Sequence, residues 1–256
     1  MYKETAERVS LDPAENYVLQ RSIKAYIEAA EIVNGKVLEL GTGSGYGIDI
    51  IAPKANEFLT IDKYRCDIVD RLPEGSNVKF IQSTFPPFIG IEDSSFDFVI
   101  SFQVIEHIED DTKFVQEIFR VLKPGGKFIC TTPNIKMSLS RNPWHIREYT
   151  IAELFNLLKK FFPTVDTKGV YGDERAMNYY EENKKSVQKI MRFDIFNLQY
   201  KLPRQILQIP FDILNRMNRK KLYNANSNLS DNFTPENYFI DTAKDNCIDL
   251  FYIATK

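Results

Sequence analysis

A run of alternating glycines at residues 37–47 constrains this chain more than any other stretch of its sequence. The apolar residues 37–40 predict a strand, and residues 48–52 favour a helix. Glycine lets the backbone bend tightly and approach a ligand closely. A helix that begins at such a turn points unpaired N–H groups at whatever fills it. The stretch therefore predicts a small-molecule site at the carboxyl end of a parallel strand.

The spacing of the glycines differs from that of a dinucleotide-binding turn, which reads Gly-x-Gly-x-x-Gly. Here Gly41, Gly43 and Gly45 alternate, and Tyr46 stands where the last glycine is required. Glu39, two residues before the first glycine, offers a carboxylate that can accept a bond from an ammonium group. Glu-x-Gly-x-Gly-x-Gly after an apolar strand resembles the first motif of the class I S-adenosylmethionine (SAM) methyltransferases. A glycine-rich turn without a ligand is the alternative.

Two further motifs follow in the order and at the spacing of that family. Ile-Glu-His at 105–107 comes after the apolar segment 95–101, and Leu-Lys-Pro-Gly-Gly at 122–126 precedes another apolar segment. Proline stops the helix predicted over 110–121, and the two glycines turn the chain into the next strand. Residues 36–132 resemble the family well, and the resemblance extends more loosely to residue 162.

The resemblance implies an α/β fold with a doubly wound, mostly parallel, seven-stranded sheet of the Rossmann-like methyltransferase type and an antiparallel last strand. We expect an amphipathic helix over 14–33, a sixth strand over 164–170 and the last strand over 247–254. The expected organisation is a SAM-binding core with its N-terminal helix over residues 1–172, a helical insertion over 173–232, and a final strand within 233–256.

The cofactor implied by the resemblance is SAM, with S-adenosylhomocysteine as product. Asp62 ends the second strand about 20 residues beyond the glycines, where a carboxylate can accept bonds from both ribose hydroxyls, although a helix cap is the alternative. Family members commonly have an acidic residue after the third strand, whereas this chain has Ser83 and Thr84. The residues expected to bind the cofactor are Glu39, Gly41, Thr42, Gly43, Gly45, Asp62, Lys63, Ser83, Thr84, Phe102 and Gln103.

Methyl transfer to a hydroxyl requires an aligned acceptor and a base, and histidine suits the second task. The only histidines, His107 and His145, are the catalytic candidates, with capping or packing as the alternative for each. Trp144, Arg147 and Tyr149 flank His145 in a segment that follows the fifth strand. We expect these three to contact the acceptor, because loops over a rigid sheet often carry binding residues. The alternative is that they fix the loop to the core.

A metal site is not expected. A metal-assisted quinone-biosynthesis branch of the family resembles residues 103–107, with Glu followed by Glu-His. This chain has Gln103 at the first position, which removes a carboxylate from a site for a hard cation.

Residues 184–221 carry ten basic and two acidic side chains in a chain whose net charge is −2. Apolar residues recur among them at helical spacing and predict two or three amphipathic helices. This segment is interpreted as a lid over the acceptor, as a homodimer face, or as a surface that contacts an anionic membrane. Nucleic acid is not an expected partner, because the chain has no net positive charge and lacks a stacking-plus-basic array.

The function expected from these observations is transfer of the SAM methyl group to an oxygen or nitrogen of a small molecule or biosynthetic intermediate. A binding protein of methyltransferase fold without turnover, and a peptide or protein methyltransferase, are the alternatives. Three widely separated cysteines, a polar start and no long apolar run lead us to expect reduced thiols and a cytoplasmic protein.

Overall fold

The computed structural model describes residues 9, 12–194, 196–225 and 230–256. Within these residues, eight strands form one sheet. They are β1 Lys36–Leu40, β2 Glu57–Asp62, β3 Val78–Gln82, β4 Phe96–Phe102, β5 Leu122–Pro133, β6 Thr164–Gly172, β7 Tyr238–Thr242 and β8 Asp249–Thr255. Their order across the sheet is β3-β2-β1-β4-β5-β8-β6-β7. The predicted doubly wound α/β fold is confirmed.

The first five strands are parallel, and β1 lies at the centre of the topology. It pairs with β2 on one side and with β4 on the other, so the chain changes direction across the sheet at this strand. In open α/β sheets, ligands bind outside the carboxyl ends of the strands at such a switch point. Val37, Leu38 and Leu40 have no exposed surface, as expected for a central strand covered on both faces.

The prediction of seven strands is wrong by one strand. β7 pairs antiparallel with β6 and forms the edge of the sheet, while β8 lies antiparallel between β5 and β6. β7 is short and mostly exposed, since only Tyr238 of its five residues is buried. Its sequence, Tyr-Phe-Ile-Asp-Thr, lacks the alternation of apolar and polar residues by which half-buried strands are recognised.

Helices cover both faces of the sheet, and three further helices follow β6 in the chain. They are α1 Asn16–Ala30, α2 Ile48–Ile51, α3 Asp67–Asp70, α4 Asp111–Val121, α5 Ile151–Lys159, α6 Glu174–Met191, α7 Leu198–Lys201 and α8 Arg204–Ala225. The helices α6 to α8 form the predicted insertion between β6 and the end of the chain. Of the expected domain ranges, positions 1–8, 10, 11, 195 and 226–229 lie outside the described residues.

Apolar clusters on the two faces of the sheet hold these helices in place. On α4, Phe114, Val115, Ile118 and Val121 are fully buried. Burying each such side chain stabilises the fold by about 1.5–3 kcal/mol. This packing fixes the strand ends from which the functional loops leave. No helix in the described ranges combines the length and the apolar character needed to cross a bilayer.

Candidate active site

A cavity of about 1190 Å³ lies at the carboxyl ends of β1, β2 and β4. Its walls are the glycine turn, the ends of β2 to β4, the loop after β5, and parts of α1, α6 and α8. Small-molecule sites typically enclose about 300–1,000 Å³. The cavity therefore has room for two small molecules side by side.

The N–H groups of the three alternating glycines are hydrogen-bonded within the protein. Gly41, Gly43 and Gly45 have φ angles of 93°, 57° and 86°, the region that favours glycine. Their N–H groups donate to Ile61 O at 2.8 Å, to Asp62 Oδ2 at 2.9 Å and to Thr42 O at 2.9 Å, respectively. The turn therefore presents a close backbone surface and not a set of free donors for a phosphate.

The glycines of the turn serve two purposes. A Cβ at Gly47 would lie 2.0 Å from the ring of Tyr26, so this glycine lets α1 pack against the turn. A Cβ at Gly41 would lie 2.4 Å from Val104. A Cβ at Gly43 meets no atom of the described residues within 4 Å, and Gly43 lines the cavity. The open side of Gly43 therefore faces the cavity.

Glu39 lies beneath the turn and does not line the cavity, and its contact with a bound ammonium group stays a prediction. Its Oε1 accepts a bond from the Tyr26 hydroxyl at 2.7 Å, and its Oε2 accepts one from the Thr60 hydroxyl at 2.5 Å. Burial raises the pKa of Glu39 to about 7, against the lowering effect of these two hydrogen bonds. The carboxyl group supports the turn from below.

Asp62 lies at the cavity wall, as predicted. Its Oδ2 accepts from Gly43 N–H, and its Oδ1 accepts from Tyr64 N–H at 2.8 Å, so the side chain also orders the loop after β2. Gly45 packs towards Cys66 and Ile68 and is not in the cavity wall. The other expected cofactor residues in the wall are Gly41, Thr42, Lys63, Ser83, Thr84, Phe102 and Gln103.

Arg21, on α1, brings a positive charge to the cavity that the sequence did not clearly assign to the site. Its Nε lies 2.9 Å from Asp249 Oδ2, and this pair is largely buried. Burial lowers the pKa of Arg21, but Asp249, Tyr17 and Tyr238 together raise it by more, so the net shift is upward. The guanidinium is therefore held at the wall as a fixed cation.

The loop after β5 orients His145 through hydrogen bonds to both of its ring nitrogens. Nδ1 lies 2.6 Å from Glu148 Oε1, and Nε2 lies 2.9 Å from Asn142 Nδ2. Asn142 Oδ1 accepts from Trp144 N–H at 3.0 Å, which fixes the orientation of the amide. Since Nδ2 can only donate, Nε2 of neutral His145 carries the lone pair and Nδ1 donates its proton to Glu148.

His107 lies beside His145, with their ring centroids 5.0 Å apart. Its Nδ1 lies 3.1 Å from Trp144 O, and a carbonyl can only accept, so Nδ1 carries the proton. Glu106 is buried below and accepts from the Thr132 hydroxyl at 2.9 Å. Burial raises the pKa of Glu106, and the two histidines oppose this shift.

Three side chains with potential metal-ligand atoms lie together in the structure, namely Glu106, His107 and His145. This group was not predicted from the sequence, where each histidine was considered alone. Within the described part of the chain, one ligand atom from each lies within 4.8 Å of the others. Two imidazole nitrogens and a carboxylate oxygen are ligands typical of zinc. The absence of a bound metal, expected from Gln103, stays a prediction.

Trp144 lines the cavity, whereas Arg147 and Tyr149 do not, and the contact of these three residues with an acceptor stays a prediction. Tyr149 is fully buried and its hydroxyl donates to Asp111 Oδ2 at 2.9 Å. The Arg147 guanidinium lies 4.8 Å from the centre of the Tyr149 ring and pairs with Asp111 at 3.1 Å. These two residues fix the loop to α4.

One face of α8 completes the cavity. The residues of α8 in the wall are Arg204, Gln205, Gln208, Phe211, Asn215 and Arg219. Arg219 pairs with Glu15 at 2.7 Å, and Asp212 accepts from Trp144 Nε1 at 2.7 Å. The insertion is therefore connected to both the beginning of α1 and the histidine loop.

Comparison with known proteins matches this chain to methyltransferases. The family model described as a methyltransferase domain matches residues 38–130. A probable S-adenosylmethionine-dependent methyltransferase of Mycolicibacterium smegmatis is 39% identical over 164 residues, which are 61% of this chain and 63% of that protein. A ubiquinone biosynthesis O-methyltransferase of Pseudomonas fluorescens is 28% identical over 120 residues, 45% of this chain and 49% of that protein.

Among solved structures, the YcgJ protein of Bacillus subtilis matches with a TM-score of 0.53 and 19% identity, over 92% of this chain and 97% of that one. At this identity the match shows the fold alone. The chain spans less than two thirds of the length of the curated relatives it matches.

Proposed function

We propose that the protein transfers the SAM methyl group to a hydroxyl oxygen of a small molecule, because residues 38–130 match the model of a methyltransferase domain and a similar protein is a probable SAM-dependent methyltransferase. The observation that carries this proposal is the His145–Glu148 pair in the wall of the same cavity as the glycine turn. A histidine with its lone pair on one nitrogen and a carboxylate on the other is suited to remove a hydroxyl proton. The name of the Pseudomonas fluorescens relative supports oxygen as the acceptor atom.

The cavity wall fits SAM in charge and shape. Asp62 would accept from the ribose hydroxyls at the end of β2, and the open side of Gly43 allows close approach of the ligand. Arg21 would bind the carboxylate of the methionine part of SAM, since it is the cation on the α1 side of the turn. Ser83 and Thr84 lie where the adenine would be bound.

SAM supplies an electrophilic methyl group on a positively charged sulfur. As the sulfur–carbon bond breaks and the carbon–oxygen bond forms, the electron pair of the broken bond stays on sulfur. His145 Nε2 accepts the proton of the acceptor hydroxyl, which replaces Asn142 Nδ2 as the donor to this nitrogen. Glu148 stabilises the resulting imidazolium through Nδ1–H. Trp144 shapes the wall beside the acceptor.

The test is a methyl-transfer assay with SAM tritiated in its methyl group and a small-molecule extract of the source cells. The wild-type protein should label a compound of low mass. His145→Ala should reduce turnover by about 10²–10⁴-fold, the range for loss of a general base, while its affinity for SAM stays at the wild-type value. Glu148→Gln should reduce turnover by a smaller factor, because the base remains.

Glu74→Gln is the matched control, since this exposed carboxylate lies outside the cavity wall. It should keep wild-type turnover. SAM binding without labelling of any compound would identify a binding protein without turnover, and label found only in protein would identify a protein methyltransferase. Equal turnover of His145→Ala and wild type would remove His145 from the mechanism, and the same assay on His107→Ala would then test the second histidine.

A further inference from the structure

The helix α8 has two unlike faces. One face lines the cavity, as described above. On the other, apolar side chains recur every three or four residues, which places them on one side of a helix. Ile206, Ile209, Ile213 and Met217 are 60%, 71%, 55% and 63% exposed, respectively. We call these four residues the outer face of α8.

The exposure of apolar side chains is concentrated in this part of the molecule. Nine of the fourteen large apolar side chains that are exposed among the described residues lie between positions 193 and 217. They include Phe193 and Phe196 in the turn after α6, at 86% and 70% exposed. Contiguous exposed apolar surface of this kind marks an interaction site more often than scattered single residues do.

Positive charge accompanies the same surface. Lys220 and Lys221 are exposed. They lie about one helical turn beyond Met217, on either side of the line that Ile213 and Met217 form along α8. Residues 184–221 carry ten basic and two acidic side chains, although the whole chain has a net charge of −2. An amphipathic helix with an exposed apolar face and basic flanks is typical of proteins that lie on anionic bilayers.

We propose that the outer face of α8, with Lys220 and Lys221, docks on the surface of an anionic phospholipid bilayer. The apolar residues would enter the boundary between head groups and acyl chains, and the lysines would contact the anionic head groups. A second copy of the chain fits this surface less well. Symmetric pairing would bring two basic faces together, and like charges placed opposite each other oppose association.

Vesicle flotation of the full-length protein tests this proposal. The wild-type protein should float with phosphatidylcholine vesicles that contain phosphatidylglycerol, should float little with pure phosphatidylcholine, and should be released by salt. The double variant Lys220→Gln/Lys221→Gln should bind more weakly by about fivefold for each charge removed. Ile209→Glu/Ile213→Glu should not float, because it places carboxylates in the apolar layer.

The matched controls change residues of the same types elsewhere on the surface. Ile89 is 79% exposed and Lys54 is exposed, and both lie outside α6 to α8. Ile89→Glu and Lys54→Gln should float like wild type, and circular dichroism should show that every variant is folded. The proposal is overturned if the wild-type protein does not float with anionic vesicles at low salt, or if the α8 variants float like wild type. A dimer in solution that only the α8 variants disrupt, without flotation, would assign the outer face to a second copy.

Discussion

Two carboxylates near the glycine turn have different roles, although the sequence suggested that both contact the ligand. Glu39 is 1% exposed and bonds to Tyr26 and Thr60 beneath the turn. Asp62 holds the turn through Gly43 N–H and lines the cavity. The distinction follows from burial: a dehydrated carboxylate supports structure, and one at the wall can bind a ligand as well.

The buried position of Glu39 predicts a pH dependence of stability. Its pKa in the folded protein is about 7, above its ordinary value of 4.5. Between these values the folded state binds more protons than the unfolded state, so this group's contribution to stability falls as pH rises. The free energy of unfolding of the wild type, relative to Glu39→Gln, should therefore fall by up to about 3 kcal/mol between about pH 5 and pH 8.

Urea unfolding of both proteins across this pH range measures the difference. Gln keeps the size of the side chain but does not titrate, and subtracting its curve removes the contributions of other groups. A difference that stays constant with pH, or that rises with pH, would show that Glu39 is ionised throughout.

Single residues of the site were predictable where chemistry and position in a motif coincide. Asp62, Gly43, His107 and His145 all lie at the cavity, as the motifs indicate. The partners that orient His145 were not predicted, because Asn142 and Glu148 form their bonds through the path of a loop that has no sequence signature. Arg21 was equally hard to assign, since the ion pair that holds it joins residues at opposite ends of the chain.

At the level of elements, a glycine in the turn can be required for two reasons. One is its backbone conformation, and the other is the open space that a side chain would fill. Gly43 and Gly75 both have positive φ angles, 57° and 79°, and a Cβ at either would meet no described atom within 4 Å. Of these two glycines, only Gly43 lines the cavity. The pair therefore separates the cost of backbone strain from the cost of blocking a ligand.

Alanine at either glycine should lower stability by about 1–2 kcal/mol, the cost of the left-handed conformation for a residue with a Cβ. Only Gly43→Ala should also weaken SAM binding, by about tenfold or more, because its methyl group projects into the cavity. Thermal unfolding and SAM titration of both variants measure these effects. Equal SAM affinity of the two variants would show that the ligand does not approach Gly43.

The elements were predicted well where periodicity was strong and poorly where it was weak. The strands β1 and β4 and the helix α4 appear within one residue of their predicted bounds, because they are buried and almost wholly apolar or clearly amphipathic. β7 was missed because its sequence, Tyr-Phe-Ile-Asp-Thr, does not alternate between apolar and polar residues. The cavity face of α8 was also not predicted from the sequence, since five of its six residues are polar and acquire their role only when the helix packs over the sheet.

At the scale of the whole molecule, the sheet, the cavity and the insertion form a connected arrangement. The switch between β1 and β4 places the glycine turn at the base of the cavity, and α8 closes one side of it. Two contacts link α8 to its surroundings. The Arg219–Glu15 ion pair joins it to the start of α1, and the Trp144–Asp212 hydrogen bond joins it to the histidine loop. Movement of α8 would therefore change both ends of the cavity together.

The most direct test of the account is calorimetric titration of the protein with SAM and with S-adenosylhomocysteine. We expect saturable binding of one molecule per chain, about tenfold or more weaker in Asp62→Ala, because loss of a charged hydrogen-bond acceptor costs about 1.5–3 kcal/mol. Asp49→Ala, which removes an exposed carboxylate outside the cavity wall, should bind like wild type. Absence of binding by the wild-type protein, or equal affinity of Asp62→Ala and wild type, would contradict the assignment of this cavity to SAM.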